Sequence, residues 1–154
     1  MDTMDNGQTP QEYFRLVLLT VVGQAFDAAG YTLENCPAQW AGGHFRFAKH
    51  FGGVIRGFIE WQHLHYTEGR PSLFRVTLTR TDKLNPMDAS THPRYAQRLL
   101  AALVVDDFKV QIVPSGSHWW KYTNTSELGR ALGEAGSLAI AYGIPWLSGE
   151  LVPP

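Results

Sequence analysis

The stretch from Gly43 to Asp82 constrains the fold most. At its centre, Phe51-Gly52-Gly53-Val54 has two adjacent glycines, each able to take positive φ as tight hairpin turns require. Val54–Tyr66, VIRGFIEWQHLHY, follows as the best strand candidate in the chain. A two-residue turn predicts that Phe51 faces Val54, Lys49 faces Arg56, Phe47 faces Phe58 and Phe45 faces Glu60. Side chains alternate along a strand. One face then holds Phe45, Phe47, Lys49, Arg56, Phe58 and Glu60, and the other His44, Arg46, Ile59, Trp61, His63 and His65. Neither face is cleanly apolar, and Lys49 opposite Arg56 sets like charges against each other. A slip of one residue would exchange the assignments. Leu73–Thr81, LFRVTLTRT, alternates Phe74, Val76 and Leu78 with Arg75, Thr77 and Thr79 and reads as a third strand with one wet face. Gly43–Asp82 is thus expected to be a three-stranded antiparallel meander.

Helices are expected on either side. Thr9-Pro10-Gln11-Glu12 combines a capping residue, a proline at the first helical position and the glutamate of a capping box. The helix should run from Pro10 to Ala29 and stop at Gly30. Its apolar centre, LVLLTVVGQAF, predicts a mostly buried helix. Tyr31–Asn35 reads as a short strand and Cys36–Gly42 as loop, as does Lys83–Ser90. Thr91-His92-Pro93 should open a second helix reaching about Val104. Lys109–Val113 and His118–Tyr122 read as short strands. A last helix, capped by Asn124 or Thr125, carries the seam Leu128, Ala131, Leu132, Ala135, Leu138, Ala139 and Tyr142. Ile144–Leu147 should fold back as an apolar tail. The fold class that follows is α+β: an antiparallel sheet of about four to six strands with three helices packed mainly on one face. Residues 1–8 are expected as a disordered tail and 9–154 as one domain.

Composition narrows the function classes. The single cysteine, Cys36, excludes an internal disulfide and a zinc site built on several thiolates. The polar, acidic start MDTMDNGQ has no signal-peptide character, and no apolar run, Leu16–Leu19 included, approaches the about 20 residues of a membrane span. A cytoplasmic protein is expected. Net charge is −1, but residues 43–83 hold seven basic and three acidic side chains. A locally basic sheet suits either solubility or an anionic small molecule or protein partner.

Three constellations are candidates for binding. His44, His63 and His65 would converge in the expected register, a candidate for a metal site without any recognised metal spacing. Arg46, Arg56 and Arg75 interleave with aromatics such as Trp61. The pattern is that of single-strand-binding sheets, but the absence of RNA-recognition signatures and the slightly negative charge argue against nucleic acid. Trp119-Trp120 on one strand must point to opposite faces, so one is a candidate contact residue. No nucleophile elbow, P-loop or dinucleotide motif is present and no cofactor is expected.

The outline of helix, basic meander and final helix running into Ala141-Tyr142-Gly143-Ile144-Pro145-Trp146-Leu147 resembles small bacterial domains of unknown function, some of them suspected partner-binding proteins such as immunity proteins of toxin systems. The resemblance implies an interaction role and carries no catalytic residue. The expectation is a non-enzymatic binding or interaction domain using a basic-aromatic sheet face, with a small enzyme or a ligand- or metal-binding protein built on a histidine-lined pocket as the alternative. An uncovered sheet edge also permits a homodimer.

Overall fold

The computed structural model describes residues 8–67 and 69–154. Nearly all of the tail expected at residues 1–8 lies outside the described residues. The elements are α1 (Pro10–Ala28), β1 (Thr32–Leu33), α2 (Pro37–Ala41), β2 (His44–His50), β3 (Arg56–Leu64), β4 (Ser72–Thr81), β5 (Ala96–Leu99), α3 (Leu100–Ala102), β6 (Trp120–Tyr122), α4 (Thr125–Leu138) and α5 (Ile144–Ser148). Wide π turns, Leu103–Asp107 and Ala139–Gly143, extend α3 and α4. The fold is α+β, with a six-stranded antiparallel sheet in the order β1-β2-β3-β4-β5, β6 pairing with the start of β4.

The hairpin turn holds one residue more than the sequence predicts. Phe51 donates its N–H to the carbonyl of Ile55 at 2.9 Å, enclosing Gly52, Gly53 and Val54. Both glycines have positive φ, at +96° and +59°. Phe47 therefore pairs with Ile59, Phe45 with Trp61, Arg46 with Glu60 and His44 with Gln62. That single residue sorts the mixed faces. Phe45 and Phe47 now share a face with Ile59, Trp61 and His63, and β4 adds Phe74, Val76 and Leu78. Lys49 escapes Arg56 and sits opposite Gly57 instead. Glycine is required there: a Cβ on Gly57 would lie 2.8 Å from both the Phe51 ring and the Tyr31 hydroxyl.

α1 covers this apolar face. Thr9 and Glu12 form the reciprocal capping box, and Pro10 opens the first turn. Phe14, Leu18, Val22 and Phe26, four residues apart, are buried. Phe14 packs on Phe45 and Phe74, and Phe26 meets Phe47 edge-on at 5.0 Å. At the far end Gly30 takes φ +92°, and the Tyr31 N–H returns to the Phe26 carbonyl. α4 is capped by the Asn124 side chain and buries Leu128, Leu132, Ala135 and Gly136, the last packed against Val22 of α1. Ala141–Leu147 forms the end of the π turn and most of α5, which buries Trp146 and Leu147.

Three local expectations are corrected. Cys36–Gly42 contains the short helix α2. The helix expected from Thr91 begins as strand β5, because the open edge of β4 at Thr77–Arg80 is satisfied by pairing there, and tertiary pairing outweighs local propensity. Lys109–Val113 is not a strand. Lys109 has φ +62°, and Val110 donates its N–H to the Val104 carbonyl, closing the π turn.

Candidate functional site

The face turned away from α1 is a grid of side chains. Reading across β2, β3 and β4, one row is His44, Gln62 and Arg75; the next is Arg46, Glu60 and Thr77, continued by Leu99 of β5. Gln39 of α2, the Asn85–Met87 loop and Ala102 of α3 rise around these rows. They enclose a cleft of about 790 Å³, a size within the roughly 300–1,000 Å³ of small-molecule sites.

Its charges are held in an uneven way. Arg46, only 9 % exposed, donates through Nε to Glu34 Oε1 at 2.6 Å and lies over the Phe58 ring. Arg98 closes a two-pronged pair with Asp107, at 2.9 and 2.7 Å. Arg75 has no carboxylate partner among the described residues: its Nε donates to Gln62 Oε1 at 3.1 Å and its plane lies 4.6 Å from the Trp119 ring centre. The terminal nitrogens of Arg46 and Arg75 have no protein acceptor among the described residues. Glu60 is 16 % exposed, and its single ionic neighbour among the described residues is His44, 3.9 Å away and 44 % exposed. Four primary amides, Gln39, Gln62, Asn85 and Gln97, complete the polar lining with Thr77.

The sequence candidates divide between the two faces. Arg46 and Arg75 line the cleft, with His44 at its rim and Trp119 supporting Arg75. Arg56 shares the outer face but sits at the hairpin end, opposite His50 and Thr81. His65 lies beyond β3, exposed, with Nδ1 3.3 Å from Ser72 Oγ. Trp61 and Trp120 are core residues, Trp120 stacked on Phe74 and donating its Nε1–H to Glu134 at 2.8 Å. His63 is core as well, 1 % exposed and stacked 4.0 Å from Phe14. Its Nδ1–H donates to Gln11 Oε1 and its Nε2 accepts from the Tyr122 hydroxyl, each at 2.6 Å. Both nitrogens are thus satisfied by a neutral ring. Burial, aided by His65 nearby, pushes the His63 pKa down to about 3, and burial pushes Tyr122 up to about 12.

The three histidines do not converge. His44 pairs with Gln62 on the outer face, while His63 points the other way. Among the described residues no group of three or more His, Cys, Asp or Glu is placed to hold a metal ion. Glu60, Gln62 and Gln97 are cleft residues that sequence reasoning missed. The expected register put Glu60 with the phenylalanines, and the signal against that register was the mixed face it produced.

A second groove, of about 800 Å³, lies between β6 and α4. Its carboxylates serve the fold: Glu134 accepts from Trp120, and Glu127 accepts from the Thr123 N–H and hydroxyl. That groove also carries the cations Lys121 and Arg130, but both are exposed; the outer cleft is the better candidate because its guanidinium groups, Arg46 buried and Arg75 half-buried, are fixed by their neighbours. No helix among the described residues is long and apolar enough to cross a membrane. Neither a protein-family model, nor a curated protein, nor a solved structure is significantly similar to the chain.

Proposed function

We propose that this protein is a non-enzymatic binding domain whose ligand or partner enters the cleft on the outer sheet face. The supporting observation is Arg75: a guanidinium aimed along the floor, fixed by Gln62 and Trp119, with no carboxylate to neutralise it among the described residues. An arginine held by packing and one hydrogen bond is pre-organised, so little side-chain entropy is lost when an anionic group arrives. Arg46 and the amides extend the same surface with donors and acceptors, the groups of recognition.

Native mass spectrometry of the protein from its own cells, beside an Arg75→Ala variant produced in the same way, tests this reading. The parent should carry a small molecule or a protein that the variant lacks. The same species on both proteins, or none on either together with no thermal shift across a panel of polar metabolites, would overturn it.

A further inference from the structure

Resting on the outer cleft as the binding site, we propose that its ligand is a small zwitterion of the α-amino-acid class, with its carboxylate on Arg75 and its ammonium group on Glu60. Charge balance points to this chemistry. Arg46 is bonded to Glu34 and Arg98 to Asp107, so those pairs cancel. Arg46 stands opposite Glu60 in the register but gives its Nε–H to Glu34. Among the described residues two charges of the cleft remain without a bonded counter-ion, the positive charge of Arg75 and the negative charge of Glu60. They do not pair with each other. Glu60 stands opposite Thr77 and Arg75 opposite Gln62, which makes them diagonal neighbours on one floor, with Cβ atoms roughly 7 Å apart.

A purely anionic ligand would satisfy Arg75 and be repelled by Glu60; a cationic one would do the reverse. A zwitterion serves both and leaves the cleft neutral. Glu60 makes the case sharper than Arg75 alone. It is 16 % exposed, and a carboxylate so far withdrawn from water gains from a cation at short range. His44, 3.9 Å away, is a counter-ion only when protonated. The amides of Gln62 and Gln97 and the hydroxyl of Thr77 offer hydrogen bonds to a polar side chain or a peptide group. The cleft volume leaves space beyond the two charged groups for either.

Isothermal titration at neutral pH tests the assignment. The probes are the twenty common α-amino acids, glycylglycine and, for whichever binds, its two single-charge analogues: the α-hydroxy acid, lacking the ammonium, and the amino amide, lacking the carboxylate. On the parent protein each analogue should bind at least about tenfold more weakly than the zwitterion, the loss of one charge-assisted contact. Glu60→Gln should weaken the zwitterion by about tenfold and the hydroxy acid far less. Arg75→Gln should do the converse with the amide. If the analogues match the zwitterion on the parent protein, the proposal fails without reference to any variant. If no probe binds but an Arg75-dependent species is still carried by the protein from its own cells, the zwitterion is wrong and the cleft stands. If that species is also missing, both readings fall.

Discussion

The two faces of β2, β3 and β4 come from the same strands and differ in what each does with polar groups. On the inner face His63 is as buried as the phenylalanines around it, and both ring nitrogens are bonded. On the outer face, Arg46 of β2 and Arg75 of β4 retain unbonded donors among the described residues, and Glu60 has His44, 3.9 Å away, as its single ionic neighbour there. A polar group with no access to water is either satisfied by the protein itself, as His63 is, or left unpaired at a cost, as is the Trp61 Nε1–H on the same face, which has no partner among the described residues. One beside a cleft can wait for a ligand. The contrast separates a polar residue that belongs to the fold from one available for recognition.

The inner face should break hardest. Trp61 is fully buried between Phe26 and Phe74, at ring distances of 6.2 and 5.8 Å. Trp61→Ala leaves a large cavity at the centre of the sheet and should cost about 3–5 kcal/mol. Urea unfolding followed by circular dichroism measures it. A loss below about 1 kcal/mol would mean that Trp61 does not face the core and that the three-residue turn is wrong.

His63 sharpens the comparison through pH. Its ordinary pKa of 6.5 falls to about 3 in the folded chain because burial disfavours the charged ring. Above pH 6.5 both states are neutral and the neutral network is fully stabilising. Between pH 6.5 and 3 the unfolded chain takes up a proton that the folded chain refuses, so stability falls as pH falls. The upper limit is about 4–5 kcal/mol across that window. His63→Phe keeps a flat ring beside Phe14 and removes the titration. Urea midpoints at pH 7.5 and 4.5 should drop further for the parent than for the variant. Equal drops would place the His63 ring in water.

Much of this contrast is legible in the sequence. Leu73–Thr81 alternates cleanly, and Phe74, Val76 and Leu78 are inside as read. The capping box at Thr9 and the seam of the last helix also follow from local chemistry, since caps and periodicity are written in neighbouring residues. The hairpin register is not local in that sense. Two glycines allow turns of two or three residues, and the choice is made by which pairing gathers the apolar side chains on one face. The mixed faces of the two-residue register held that information. β5 was hidden for another reason: Ala96–Leu99 becomes a strand through the edge it pairs with, which lies about twenty residues earlier. The cleft depended on both features, so Arg46 and Arg75 could be singled out while Glu60, Gln62 and Gln97 could not.

The smallest effect on stability should come from the residue most important to the proposed site. Arg75 makes one hydrogen bond to a neutral amide and one contact with the Trp119 ring. Arg75→Gln removes a charge that, among the described residues, no carboxylate of the fold balances. Both the hydrogen bond and the cation–π contact are modest, each on the order of 1 kcal/mol, and removing the unpaired charge offsets part of that loss. The urea midpoint should therefore move by no more than about 1 kcal/mol equivalent. A loss of 2 kcal/mol or more would show that Arg75 is tied into the structure as firmly as His63. The outer face would then resemble the inner one, its polar groups committed to the fold.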